Sequence, residues 1–346
     1  MVQIGAEYEI LVRNASGITT SRRAGESDSF VKNFTLLIEA GLRNTAASVK
    51  DTTGATKSCH GFTCTVGDTE VNIDSRHIVV GTGTDPVGID DYTLDGKIAK
   101  TTLWHSMALI TPEAPYIDGG YIKARVAKRS FINRTTSPVT ISEMGIVVLS
   151  SGSNILILRD VLPEAIVVPV GGGVDIAYTF KTAISGTGDS FLQNYLRAIV
   201  CSFNGSALVS VPDTDGTTRS INFAGTFPAN AVAGVDYYGI LVGTSGDSTI
   251  GDENVLGAPI PHGGVDGSLN HSDVFFTPTE TDDTGAELAL HRSFVNMSPD
   301  PITVREVGVV ARHSGYNVLL LRDVVDPMEI PAGGGVNVTV VLRTEL

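Results

Sequence analysis

The chain has 346 residues, a formal net charge of −14, 42% hydrophobic residues and 18% charged ones. That length allows two domains of ordinary size, and the mix is globular, neither disordered nor membrane-embedded. A strongly acidic chain is repelled by phosphate backbones, which argues against direct nucleic-acid binding; no apolar run reaches the roughly 18 residues of a membrane helix, which argues against a membrane role.

The N-terminus (MVQIGAEYEI) has no basic stretch followed by an apolar core, so it is not read as a secretory signal peptide. Residues 1–27 are read as an N-terminal arm. Tyr8–Val12 (YEILV) is expected to be a strand, with Tyr8, Ile10 and Val12 as its assembly residues. Gly17–Gly25 (GITTSRRAG) is expected to be a flexible, basic linker. A tethered apolar strand can add to the sheet edge of a neighbouring copy. A frayed terminus, or an extra edge strand of the same chain, is the alternative.

From residue 28 the chain occurs twice. Asp28-Ser29-Phe30 returns as Asp189-Ser190-Phe191, and each is expected to open a helix with Asp or Ser as its cap. Phe30, Phe34, Leu37 and Ile38 fall at i, i+4, i+7 and i+8, which makes one apolar stripe; Phe191, Tyr195, Ala198 and Ile199 do the same. Gly41 and Asn204-Gly205 are the expected stops. A helix of about three turns is too short to stand alone, so each stripe must lie on a sheet or a neighbouring subunit. Asp51–Lys57 and Asp213–Arg219 then predict matching glycine hairpin turns. Ile78–Gly83 (IVVGTG) and Ile240–Thr244 (ILVGT) predict buried strands ending in glycine turns. Acidic loops follow in both copies. Leu103, His105, Ser106, Thr111 and Pro112 recur as Leu269, His271, Ser272, Thr277 and Pro278. Arg129-Ser130-Phe131 recurs as Arg292-Ser293-Phe294.

The clearest copy is Glu143–Val161 (EMGIVVLSSGSNILILRDV), which returns as Glu306–Val324 (EVGVVARHSGYNVLLLRDV). Each is a hairpin turning at Gly152 or Gly315. After the triple glycines at 171–173 and 333–335, Val174, Ile176, Tyr178 and Phe180 alternate, as do Val336, Val338, Val340 and Leu342. A period of two is a strand with one side buried. The fold class expected is therefore all-β, as two tandem homologous antiparallel β-sandwich domains (28–185 and 186–346), each preceded by a short amphipathic α-helix. Ser185–Asp189 (SGTGD) is expected to be a flexible linker between them.

Candidate sites are few. Asp85, Asp90, Asp91 and Asp95 supply oxygens that suit a hard cation, with calcium as the candidate. The D-x-D-x-D-G run of an EF-hand is missing, and Asp in glycine-rich loops also makes Asx-turns. Asp247, Asp252 and Glu253 recur at the matching loop, which favours service to the fold. Neighbouring strand residues face opposite ways, so Arg159 and Asp160 cannot share a face. Arg159 is expected to meet Glu143 across the hairpin, and Arg322 to meet Glu306, as structural ion pairs that pin register. The three cysteines, Cys59, Cys64 and Cys201, make no disulfide framework; free thiols, a local or intersubunit disulfide at Cys59–Cys64, and a metal site remain open there. The His-Ser neighbours cannot form a proton relay, no G-x-S-x-G elbow is present, and no P-loop lysine follows the glycines. Enzyme function is not expected.

The entry helices (SFVKNFTLLIEAG; SFLQNYLRAIV) and the string VVGTGTDPVGIDDYTLDGKI with its weaker copy LVGTSGDSTIGDENVLGAPI resemble a family of tailed-phage and prophage virion structural proteins. So do ISEMGIVV…ILILRDVLPEAIVVPVGGGVDIAYTF and VREVGVVAR…VLLLRDVVDPMEIPAGGGVNVTVVL. These strings cover most of both halves and consist of strand-and-turn patterns with no reactive residue. The resemblance implies a component of the tail, a fibre or the capsid exterior. Such a protein would assemble in many copies, with itself and with other virion proteins, in the host cytoplasm. It implies no ligand or catalytic residue. A non-viral extracellular filament or adhesin subunit, and a glycan-binding module, are the alternatives.

Overall fold

The computed structural model describes residues 2–27, 29–61, 76–105, 114–184, 190–203, 208–223 and 225–345. The fold is all-β with two helices among these residues. The first half runs β1 (Val2–Arg13), β2 (Thr19–Ser27), α1 (Lys32–Arg43), β3 (Ala47–Lys50), β4 (Thr56–Cys59), β5 (His77–Gly81), β6 (Leu103–His105), β7 (Tyr116–Asp118), β8 (Tyr121–Asn133), β9 (Val139–Ser150), β10 (Ser153–Val168) and β11 (Gly173–Ala183). The second runs β12 (Ser190–Phe191), α2 (Gln193–Phe203), β13 (Val209–Pro212), β14 (Thr218–Ile221), β15 (Gly239–Gly243), β16 (Asn270–His271), β17 (Phe275–Asp282), β18 (Gly285–Val295), β19 (Ile302–His313), β20 (Tyr316–Ile330) and β21 (Gly335–Glu345).

Turn chemistry sets the hairpins. Ser151-Gly152 and Ser314-Gly315 all have positive φ, the two-residue turn whose twist matches the flanking strands. They join β9 to β10 and β19 to β20 in antiparallel ladders. Asp51 accepts from the amides of Thr53 and Ala55 at 2.9 and 3.0 Å, and Asp213 from those of Asp215 and Thr217 at 3.0 and 2.9 Å. Each closes its hairpin as an Asx-turn.

The two halves share one sheet. Its order is β16-β18-β21-β1-β11-β8-β6, with β17, β2 and β7 paired at β18, β1 and β8. Smaller sheets β10-β9-β5 and β12-β20-β19-β15 form the remaining long ladders. The arm is not a tether. β1 pairs antiparallel with β11 from Ile4 to Arg13, and in parallel with β21 from Val2 to Ile4. The stretch expected to be a flexible linker is mostly strand β2, which pairs along β1. This is the alternative arrangement, an added strand of the same chain, and burial holds it there: Ile4, Ala6, Ile10 and Val12 sit in the core.

The helices cross between halves. α1 packs on β3 and β10 of its own half and on β17 and β18 of the other; α2 packs on β13 and β20 and on β8 of the first half. The predicted stripes, Phe30, Phe34, Leu37 and Ile38 in one and Phe191, Tyr195, Ala198 and Ile199 in the other, are all buried in a single core cluster that includes both halves. The expected sandwiches therefore do not have separate cores. Accessible surface agrees: the chain exposes 13839 Å². One body of its mass exposes about 13,400 Å², whereas two separate half-sized bodies would expose about 16,000 Å². The expected linker at 185–189 lies outside the described residues.

Two local expectations at α1 change. Its N-cap is Val31, with no side-chain cap bond; Asp28 lies outside the described residues. Backbone supplies what a cap would: Lys32 N–H donates to Ile89 O at 2.8 Å and Val31 N–H to Ile157 O at 3.2 Å. Gly41 is not the stop. The helix continues to Arg43 and ends on Asn44 in the left-handed conformation (φ 53). Gly41 is instead where the second half comes closest. Phe227 N–H donates to Gly41 O at 3.1 Å, and a Cβ there would lie 2.8 Å from Gly225 O. For α2, the expected stop at Asn204-Gly205 falls outside the described residues.

Candidate functional site

The densest polar chemistry in each half is a buried carboxylate between a strand hairpin and the acidic loop. In the first half it is Glu143, on β9 and 0% exposed. Gly145 pairs with Arg159, so Glu143 and Arg159 are diagonal neighbours on one face of the β9–β10 ladder. Arg159 Nε donates to Glu143 Oε2 at 3.0 Å. Three loop amides complete the carboxylate's shell: Gly83 at 2.9 Å, Gly96 at 2.7 Å and Asp95 at 3.2 Å. The second half repeats this. Glu306, also 0% exposed, accepts from Arg322 Nε at 2.9 Å and from the amides of Ala258, Gly257 and Ser245 at 2.8, 3.0 and 3.4 Å. Gly81 and Gly243 run past these carboxylates with no room for a Cβ.

The acidic loop is organised by a guanidinium. Arg159 donates from Nη1 to Asp91 at 2.8 Å and from Nη2 to Asp95 at 2.5 Å. It also reaches the main-chain oxygens of Asp85 and Pro86 at 3.2 and 3.4 Å. Asp90 points elsewhere, 3.8 Å from Lys32 Nζ. The cation arrangement expected of Asp85, Asp90, Asp91 and Asp95 is therefore not what the loop forms: Arg159 already supplies the positive charge. Among the described residues, no group of three or more His, Cys, Asp or Glu is placed to hold a metal ion. Burial opposes the charge on Arg159, and the bonds to Asp91 and Glu143 outweigh it, raising its pKa above the ordinary value. Arg322 has a thinner set, with Glu253 at 3.4 Å as its second carboxylate.

Asp160 faces the other way, as strand alternation requires. It accepts from Ser27 Oγ at 2.9 Å and from Tyr178 Oη at 2.6 Å. Burial and the neighbouring carboxylate push the Tyr178 hydroxyl well above its ordinary pKa.

A second buried arginine in each half went unassigned in the sequence. Arg129 and Arg292 are 2% and 0% exposed. Arg129 Nη1 donates to Arg76 O at 2.7 Å and Ile78 O at 2.8 Å. Arg292 donates to Ile240 O at 2.8 Å, Val235 O at 2.5 Å and Ser272 O at 2.9 Å. Both hold carbonyls beside β5 and β15. Burial lowers the Arg292 pKa to about 10. The available signal was an arginine repeated inside an otherwise apolar strand face.

His105 and His271 pack edge-on against the aromatic rings of Phe131 and Phe294. Burial and then the nearby arginines lower His77 and His271 to about 4. Ser106, Thr111 and Pro112 lie outside the described residues, as does Cys64. Cys59 and Cys201 are buried and in no disulfide, and burial raises the pKa of Cys59. Of the arm residues, Ile10 and Val12 are core and Tyr8 is half-buried against it.

The chain matches no protein-family model and no curated protein.

Proposed function

We propose that this protein is a structural component of a tailed-phage virion, of the tail, a fibre or the capsid exterior. It assembles in many copies with itself and with other virion proteins, and it is not an enzyme. One observation carries the reading: the buried charged groups, present in both halves, are engaged in holding loops and strands. Glu143 with Arg159, Glu306 with Arg322, and the paired Arg129 and Arg292 all bind backbone or one another. Such bonding fixes shape and register, which is what a building block needs. The motif resemblance supports the virion context, and the acidic net charge of −14 suits a particle exterior over a DNA-packing role.

Sedimentation velocity and negative-stain electron microscopy of the purified chain test this, alone and mixed with other virion proteins. Ordered particles of defined symmetry are expected. A monodisperse monomer under every condition, or no incorporation into particles, overturns it.

A further inference from the structure

The halves match element for element with two exceptions; the smaller is β12, whose place in the first half is taken by the single bridge between Phe30 and Leu158. The larger is the hairpin β1–β2, which the first half carries and to which the second has no counterpart among the described residues. In the first half that hairpin closes the mouth between β10 and β11. Ile10 and Val12 stand opposite Ile176 and Val174 on the β1–β11 ladder. Ser27, at the end of β2, bonds Asp160 beneath.

The matching mouth in the second half lies between β20 and β21. β21 pairs with β18 along its whole length. On its other edge only Leu342, Arg343 and Thr344 have a ladder partner, in β1. From Gly335 to Val341 that edge has no strand beside it among the described residues. A groove of about 240 Å³ opens there, lined by Val304, Val325, Met328, Val336, Val338 and Val340 among others. Exposure shows what is missing. Ile166 is 2% exposed, and Met328, at the matching place on β20, is 45% exposed. Val174 and Ile176 are fully buried, whereas Val336 and Val338 are half-buried. Asp323 matches Asp160, yet its Oδ1 is buried with no hydrogen-bond partner among the described residues. Val340 stands where Tyr178 does, so the hydroxyl that Tyr178 gives Asp160 has no counterpart at that place.

These features define an occupant. The free edge of β21 offers backbone groups to a strand. The groove takes an apolar side chain at every second residue. Asp323 calls for a hydroxyl or amide donor. The rim is acidic at the exposed Asp326 and Glu329, and in the first half Arg23 of the hairpin meets the rim residue Glu164 at 3.3 Å. A basic residue on the occupant complements that rim. The occupant is not this chain's own arm. Each copy has one hairpin and two mouths, so passing hairpins between copies leaves as many mouths open as before.

We propose that the groove between β20 and β21 receives an extended strand or hairpin of a different polypeptide, by strand addition to β21. That strand alternates apolar residues, carries a hydroxyl or amide donor for Asp323, and places a basic residue near Asp326 and Glu329. The proposal rests on the assembly reading only for the partner's being another virion protein.

The test uses a labelled synthetic peptide of residues 2–27, which fills the matching mouth, added to the intact protein. Fluorescence anisotropy is expected to show saturable binding at one site. Met328→Glu, at an exposed position that leaves folding intact, is expected to weaken it by about tenfold or more. Ile10→Asp in the peptide is expected to have a similar effect. Val338→Arg serves as a second variant, with circular dichroism confirming its fold. Absence of binding overturns the proposal. So does binding indifferent to Met328→Glu, which would mean exchange at the first mouth. A symmetric dimer dissociated by Met328→Glu would assign the groove to a second copy and also overturn it. Particle assembly without peptide binding removes the groove proposal alone; peptide binding without assembly removes the virion reading alone.

Discussion

Replacing Glu306 by Gln is expected to destabilise the protein more than replacing Glu143 by Gln, although the two carboxylates occupy matching places. Each is fully buried and accepts three backbone N–H groups and one guanidinium N–H. Gln removes the charge and turns one acceptor into a donor that faces donors. Removing one partner of a buried ion pair costs about 3–5 kcal/mol, because the other charge is left uncompensated. The halves differ in what compensation remains. Arg159 keeps Asp91 at 2.8 Å and Asp95 at 2.5 Å. Among the described residues, Arg322 keeps Glu253 alone, at 3.4 Å. The loss is therefore placed near about 3 kcal/mol for Glu143→Gln and near about 5 kcal/mol for Glu306→Gln. With an unfolding entropy of about 2.1 cal/mol/K per residue, these correspond to Tm decreases of about 4 and 7 °C. Differential scanning calorimetry and urea titration read both. Equal losses, the reverse order, or a loss under about 1 kcal/mol for Glu306→Gln would refute the compensation argument. Glu306→Leu combined with Arg322→Met is expected to recover little of the loss, since the amides of Ser245, Gly257 and Ala258 then lack their buried acceptor.

Deleting residues 2–27 is expected to unfold the protein or drive it to aggregate, because β1 joins the halves of the shared sheet; a soluble, cooperatively melting truncation would show the arm to be dispensable. Ile10→Ala, at 1% exposure, is expected to cost about 2–5 kcal/mol by urea titration. Gly41→Val places carbon against Gly225 O and the Phe227 ring, so a loss of about 1–3 kcal/mol is expected, with an unchanged melt counting against close packing between the halves there. His77 is held down to about 4 in the fold against about 6.5 unfolded, so the unfolded chain binds the extra proton between these values. Its contribution is full above pH 6.5 and is lost as pH falls to about 4, on the order of 3 kcal/mol. His77→Asn suits the left-handed backbone there (φ 64) and is expected to flatten that part of the urea-midpoint-against-pH curve.

Strand and turn signals were legible because they are local. Period-two alternation after the triple glycines marked β11 and β21, and the Ser-Gly turns marked the two long hairpins. The Glu143–Arg159 contact was accessible because a hairpin brings residues into register across a short turn. What the sequence hid was contact between distant segments. Gly41 looks like a helix stop because the chain segment that needs its missing Cβ lies at 225–229. The loop carboxylates look like cation ligands because they have the same chemistry whether a metal ion or Arg159 faces them. Arg129 and Arg292 escaped notice because their partners are backbone carbonyls, which carry no sequence signature.

The repetition also separates fold from function inside one molecule. A lock that occurs twice, with the same donors around Glu143 and Glu306, is explained by what any copy of the fold requires. A feature present in one half is not. The hairpin β1–β2 serves the first half by covering apolar side chains and by giving Asp160 its Ser27 hydroxyl. Without it, the second half leaves Met328 exposed and Asp323 Oδ1 unpartnered among the described residues, at an edge able to accept another strand. Uncovered strand edges favour association. The asymmetry of the two mouths, more than the symmetry of the two locks, is thus the feature through which this body would recognise something other than itself.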